Sequence, residues 1–327
     1  MKHFELVKEY KYPSGSVYVS YNKEKDFYIE TTSMQDVDTK KKSQEIIMTS
    51  DGEIVRQNLV PINEKWLIAI STQFGCPHKC QFCLVPELGF HGNLTSEQMW
   101  EQLELVFSQH PEVTYSDKIK VGFARMGEPF WNWQNILQVM REMKTYKDGF
   151  TFLPCYNTIM PKGKSYGKTS LEVLSEDVMA AKEYLDGFMH IQISTNSTNE
   201  EERQRLFGGA QVYSIKEIAN IMNNVPNNNR LVTLNFICGA GWEIDPNKLY
   251  GLNPDVFCIK ITPLNITSKT EKSGLEDAIK WNWENMNKIK ENIEGKCGLK
   301  VITDVAAKEE LPLCCGNLVH DFKNHKA

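Results

Sequence analysis

Two kinds of hydrophobic pattern divide the chain. Over residues 1–65 the apolar positions alternate. Val17, Val19 and Tyr21 share one side, with Tyr18 and Ser20 between them, and Phe27 and Ile29 follow in a second short run. Period two is the mark of a half-buried strand. Ile46, Ile47 and Met48 on one side and Ile54 with Val55 on the other flank Asp51-Gly52, a hairpin turn signal. The pattern predicts a small β-rich module over 1–65. From Trp66 onward strand and helix patterns alternate. Strands are predicted over 66–72, 119–124, 150–155, 189–194, 231–237 and 257–262, with a last one over 299–303. Ile119, Val121 and Phe123 show period two, as do Met189, Ile191 and Ile193.

The helices between them carry the longer period. The first opens after Leu94, where Thr95 and Gln98 make a capping box and Leu94 with Met99 a hydrophobic staple. Met99, Leu103, Val106 and Phe107 then form one apolar face. A second helix carries Ile136, Leu137, Met140 and Met143. Others are predicted over 171–185, 214–222 and 275–293. Six strand–helix alternations imply parallel strands joined by right-handed crossovers. A doubly wound sheet and an open (β/α)6 barrel both satisfy this, and periodicity does not choose between them. The division reads as an accessory β module over 1–65, an α/β body over 66–305 and a C-terminal tail over 306–327.

Composition changes the picture in two ways. The chain has 327 residues, 41% hydrophobic and 24% charged, which excludes collagenous and largely disordered classes. The formal net charge of −5 argues against a wholly basic nucleic-acid-binding surface, though not against a local basic groove. The Lys40-Lys41-Lys42 run reads as a solvated loop. No run approaches the roughly 20 apolar residues of a membrane span, and the first residues lack a signal-peptide core. A cytoplasmic protein without membrane association is expected. Nine cysteines, an odd number with none in 1–75, read as reduced thiols rather than a disulfide framework.

Three of those cysteines stand together in Cys76-Pro77-His78-Lys79-Cys80-Gln81-Phe82-Cys83, just after the first strand of the alternating region. Three thiolates on one tight loop can hold three corners of a cubane iron–sulfur cluster and leave the fourth iron open. Zinc is the competing reading. It wants a fourth ligand, for which His78 and His91 are near, but a second C-x2-C knuckle is lacking. Other motifs fail. The phosphate-loop readings of Gly163-Lys164-Ser165 and Gly167-Lys168-Thr169 have Thr158 and Lys162 where the first glycine is required. Gly239-Ala240-Gly241 lacks the third glycine of a dinucleotide fingerprint and reads as a strand-end turn. Trp281 and Trp283 fall on different helix faces.

The C-x3-C-x2-C loop, with Phe82 before its last cysteine, resembles the radical S-adenosylmethionine (SAM) superfamily. The resemblance implies a partial (β/α) barrel, a four-iron, four-sulfur cluster on Cys76, Cys80 and Cys83, and SAM chelated at the open iron. Further segments narrow it. Gly89-Phe90, Asn93-Leu94-Thr95, Met126-Gly127-Glu128-Pro129, Ser194-Thr195-Asn196, Pro263-Leu264-Asn265 and Cys315-Gly316-Asn317-Leu318 are, in this order, similar to the RlmN/Cfr-type enzymes over roughly residues 55–320. Those methylate an adenosine carbon in RNA. The resemblance implies SAM contacts at Gly127, Glu128, Ser194, Asn196 and Asn265, and at Cys155, where the family carries a serine. It implies that Cys315 takes a methyl group from SAM, that a 5′-deoxyadenosyl radical abstracts hydrogen from it, and that the resulting carbon radical adds to adenine. RNA or a related nucleotide is the implied substrate, and a flavodoxin- or ferredoxin-type protein the expected electron donor.

Read without the family, Gly127-Glu128 is a strand-ending turn with a capping acid, Ser194 and Asn196 are cap or loop residues, and Cys155 is a buried thiol. Three features depart from the family. Its second essential cysteine, seven residues before the first cluster ligand, is Ala69 here. Its hairpin glutamate has Arg56 as the nearest match, and arginine is no practical base. Residues 1–65 read as β where the family has a helical RNA-binding domain. Cys314 could stand in for the missing thiol. The alternative function is a non-methylating radical SAM enzyme that abstracts hydrogen from a small molecule or peptide.

Overall fold

The computed structural model describes residues 2–37, 59–276, 283–303 and 316–324. The Asp51-Gly52 turn, the Lys40-Lys41-Lys42 run, Arg56, Trp281, Cys314 and Cys315 lie outside the described residues. Three antiparallel strands come first, β1 (Glu5–Tyr12), β2 (Gly15–Asn22) and β3 (Phe27–Gln35). The outermost, β1, carries Glu5, Lys8, Glu9 and Lys11, charges that suit a sheet edge. β3 pairs antiparallel with β4 (Trp66–Ala69), with Thr32 opposite Ala69, so these strands continue the sheet of the main body. A short ribbon of β5 (Gln73–Gly75) and β6 (Phe90–Asn93) then brackets the cysteine loop.

The parallel part follows. β7 (Ser116–Gly122) pairs with β4 and with β8 (Phe150–Thr158). After a two-residue ribbon, β9 (Lys164–Ser165) with β10 (Lys168–Thr169), come β11 (His190–Ser194), β12 (Val232–Cys238), β13 (Phe257–Pro263) and β14 (Val301–Thr303). Each pairs in parallel with the next, β11 also with β8. The order β4-β7-β8-β11-β12-β13-β14 follows the chain without reversal, and β1 and β14 are the two ends of the sheet. A doubly wound sheet reverses its strand order at a switch point. This one does not, so the fold is the open, partial TIM barrel of the two sequence alternatives.

The local sequence accounts for the elements. In α1 (Ser96–Gln109) the Thr95 hydroxyl accepts from the Gln98 amide at 3.2 Å, and the Gln98 side chain accepts from the Thr95 amide at 3.0 Å. Leu94 and Met99 are both fully buried, as the staple requires. α2 (Trp133–Glu142) buries Ile136, Leu137 and Met140 and packs on α1. Each such side chain, fully buried, contributes about 1.5–3 kcal/mol. The helix predicted over 171–185 runs as α3 (Ser170–Glu172), a π-helical piece Val173–Val178, and α4 (Met179–Tyr184). α5 (Glu200–Leu206) was not predicted, because it is short and all but its last residue are charged or polar. α6 (Ile215–Met222) opens on a Ser214–Glu217 capping box. The helix predicted over 275–293 is corrected. α7 (Ser268–Lys272) ends before Gly274, residues 275 and 276 are not helical, and α8 runs Trp283–Cys297. A final helix, α9 (Asn317–Asn324), lies against β3 and the turn at Val85–Leu88.

Candidate active site

The cysteine loop sits over the C-terminal ends of the parallel strands. The Cys76 amide donates to the Gly89 carbonyl at 3.2 Å, and the Gln81 amide to that of Leu206 at 2.9 Å. Cys76, Cys80 and Cys83 line one cavity of about 210 Å³ with Arg125, Gly127, Glu128, Asn157, Thr158 and Ser194. These residues come from the ends of β7, β8 and β11, where active sites sit on barrels of this kind. Burial, with Cys76 and Glu128 nearby, pushes the Cys80 thiol up. A metal bound there displaces that proton. Among the described residues, no three His, Cys, Asp or Glu side chains are gathered tightly enough for a single metal ion. The thiols line a cavity instead.

Glu128 is the most heavily used group in it. One carboxylate oxygen accepts from the Phe130 amide at 3.1 Å and from the Thr158 hydroxyl, the other from the Ile159 amide at 3.1 Å. It caps the turn Pro129–Asn132 and ties β8 to the end of β7. The capping role read from the sequence and the cavity position therefore coexist. Burial raises its pKa to about 7 against the pull of the Thr158, Ile159 and Phe130 hydrogen bonds. Its amide donates to the Gln73 side chain at 2.8 Å. Gly127 has φ +109°, and a Cβ there would lie 2.7 Å from Gln73 and Thr72. Only glycine lets the strand end turn this close to β5.

His78 faces the cavity, but its Nε2 accepts the Trp131 indole N–H at 2.8 Å and its ring stacks on that indole. Burial lowers its pKa to about 4. His91 is exposed and lies against the Phe27 ring. Neither histidine is poised as the fourth ligand of a zinc site. The donor set is three thiols on one cavity, and it fits a cluster held through three irons.

The other site residues fall into two groups. Ser194 lines the cavity and pairs in register with Asn235. Asn196, Asn265 and Cys155 are not among its lining residues. Asn196 is fully buried at φ +64°, and its side-chain oxygen accepts from the Ile237 amide at 3.2 Å. Asn265 is half-buried, and its carbonyl accepts from the Thr270 hydroxyl at 3.5 Å. Cys155 lies three residues short of the end of β8, opposite Gly122 and His190. Its buried thiol donates to the Leu153 carbonyl, and burial raises its pKa. Sequence reasoning missed Arg125, Asn157 and Thr158. Asn157 and Thr158 are the last two residues of β8, so placing that strand end at 158 rather than 155 would have found them. Cys315 lies outside the described residues.

A second cavity, of about 340 Å³, lies toward the N-terminal ends of the strands. Lys65, Lys120, Lys260, Arg230 and His190 line it, and Asp36, which pairs with Lys65, is its acid. Burial and the surrounding cations Lys120, Lys260 and Arg230 push His190 down to about 3.

Comparison with known proteins places this geometry. No family model matches the chain. A protein of Aquifex aeolicus (strain VF5) named "Probable dual-specificity RNA methyltransferase RlmN" is 22% identical over 77% of this chain and 74% of its own length. A "Dual-specificity RNA methyltransferase RlmN" of Sulfurovum sp. (strain NBC37-1) is 27% identical over 57% of this chain and 48% of its own length, so the match spans about half of that relative. The crystal structure of a radical SAM methyltransferase from Sphaerobacter thermophilus shares the fold, with a TM-score of 0.69 at 17% identity over 96% of this chain and 80% of that one. In sequence the chain is similar to proteins named as RlmN-type RNA methyltransferases, and in fold to a radical SAM methyltransferase.

Proposed function

We propose that this chain is a radical SAM methyltransferase whose cluster is held by Cys76, Cys80 and Cys83 and whose methyl carrier is Cys315. The observation that carries the reading is the convergence of the three thiols with Gly127, Glu128 and Ser194 on one cavity. When bound, the cluster supplies the electron that cleaves the SAM sulfonium, and SAM supplies the methyl group and the carbon radical. The chain's own residues bind and orient. Gly127 lets the turn that carries Glu128 pack close against Thr72 and Gln73. Glu128, with three acceptor positions already filled, has one left for a SAM ammonium. Ser194 offers a hydroxyl. Asn196 ties the end of β11 to β12, Asn265 lies just past the end of β13, and both are proposed SAM contacts. The relatives' names support RNA as the substrate class.

A second reading, hydrogen abstraction from a small molecule without methyl transfer, is favoured by two observations. Ala69 stands where the family has its adduct-resolving cysteine, and its amide donates to the Thr32 hydroxyl at 3.1 Å. Among the described residues the cavity has one cationic side chain, Arg125, already paired with Glu30. The test is peptide mass spectrometry on anaerobically purified, cluster-reconstituted protein incubated with SAM and reductant. A methyl group on Cys315 supports the carrier mechanism. An unmodified Cys315 with 5′-deoxyadenosine released sinks it in favour of the second reading.

A further inference from the structure

Glu30 stands on β3, far from the cysteine motif in sequence, and its side chain is wholly buried. One carboxylate oxygen lies 2.6 Å from Arg125 Nη2 and accepts the Gly316 amide at 3.0 Å. The other accepts the Val319 amide at 2.9 Å. Arg125 lines the thiol cavity. Gly316 directly follows Cys315, and Val319 lies in the first turn of α9. A single carboxylate therefore joins the N-terminal strands, the cavity wall and the start of the C-terminal helix.

The surrounding contacts bring α9 to this place without fixing its register. Leu318 and Val319 pack on Val17 and Val19, and Phe322 meets the Tyr28 ring edge-on at 5.3 Å. Such apolar contacts are non-directional. The carboxylate is directional, and it sits where a helix start favours negative charge. Burying a charge pair adds little net stability compared with apolar packing, but it fixes one arrangement. Gly316 has φ +83°, and a Cβ there would lie 2.8 Å from Val85 Cγ2. Val85 itself lines the cavity, two residues beyond Cys83. The backbone at 316 is thus held against the cavity wall, and Cys315 directly precedes it in the sequence.

We propose that Glu30 is the positioning residue of the methyl-carrier segment: through the Gly316 and Val319 amides it holds the chain next to Cys315 against the cavity wall, with Arg125 fixing the orientation of its carboxylate. The proposal rests on reading Cys315 as the carrier. No signal in the sequence pairs residues 286 positions apart.

The test uses the reconstituted full-length chain and the Glu30→Gln variant. Gln keeps the shape but turns an amino group toward one of its donors. A second variant, Val319→Pro, deletes one amide that Glu30 receives and leaves the Arg125 pair in place; proline is tolerated in a first helical turn. Hydrogen exchange of residues 316–324 and alkylation of Cys315, with Cys297 as internal control, are read beside methyl transfer and 5′-deoxyadenosine formation. Both variants are expected to speed exchange of the 316–324 segment at least about tenfold, as loss of charge-assisted hydrogen bonds should. Cys315 alkylation should change while Cys297 alkylation does not. Methyl transfer to Cys315 should fall while 5′-deoxyadenosine formation persists. Unchanged exchange and alkylation would overturn the proposal, as would equal acceleration throughout the barrel, which marks general destabilisation. A wild-type chain that never acquires the methyl group, yet shows the exchange response, would instead refute the carrier reading and leave the anchor standing.

Discussion

The two ends of the barrel are built on opposite electrostatic principles. At the C-terminal end three thiols, a glutamate with three donors and a histidine whose pKa burial lowers surround a cavity in which, among the described residues, the one cationic side chain is paired. At the N-terminal end Lys65, Lys120, Lys260 and Arg230 converge around His190 with Asp36 as the acid. Charge that is costly to bury has been concentrated away from the three cysteines of the motif, around His190 and the buried Cys155 thiol 3.6 Å from it. The contrast also bears on substrate. A phosphate backbone is recognised mainly by cations, and the cavity beside the thiols offers few. The proposed RNA substrate would therefore find, among the described residues, most of its cationic contacts outside this cavity.

The largest expected effect breaks the thiol end outright. Cys80→Ala should abolish cluster retention and SAM cleavage, a loss of about a thousandfold or more for a site needing all three ligands, while circular dichroism stays that of the folded barrel. Cys315→Ala should leave 5′-deoxyadenosine formation in place and eliminate the methylated peptide, separating cleavage from transfer. Gly127→Ala puts a Cβ 2.7 Å from Gln73 and Thr72. It should weaken SAM binding by about tenfold or more, since over-packing costs about 1–3 kcal/mol, as read by equilibrium dialysis on the reconstituted protein.

Two smaller effects sharpen the contrast. Glu128 has a folded pKa raised to about 7 from 4.5. The folded chain then holds a proton that the unfolded chain releases, so this group's contribution is full below about 4.5 and is lost as pH rises through about 7. Glu128→Gln should remove that fall, seen as a flatter difference in urea midpoint between pH 5 and 8 against wild type. At the other end, Lys120→Met should leave SAM cleavage within about twofold and raise stability by on the order of 1 kcal/mol by relieving like-charge repulsion, measured by urea unfolding.

Most of the barrel was legible because its strands and helices obey simple periods. The Thr95–Gln98 box and the alternation at Ile119, Val121 and Phe123 each name an element and its buried face. What stayed hidden depends on contacts distant in sequence. α5 has no apolar stripe to announce it. Arg125 gives no sign of its role until β3 brings Glu30 to it. Within the site, the cysteine spacing showed the thiols, and the strand-end segments showed Gly127, Glu128 and Ser194. Asn157 and Thr158 were hidden by a strand end placed three residues early.

The most direct test of the central claim is iron analysis with electron paramagnetic resonance of the reduced, reconstituted protein, with and without SAM. The account expects about four irons per chain, a signal that changes when SAM is added, and loss of both in Cys80→Ala. Retention of the full cluster in Cys80→Ala, or a cluster signal indifferent to SAM, would contradict it.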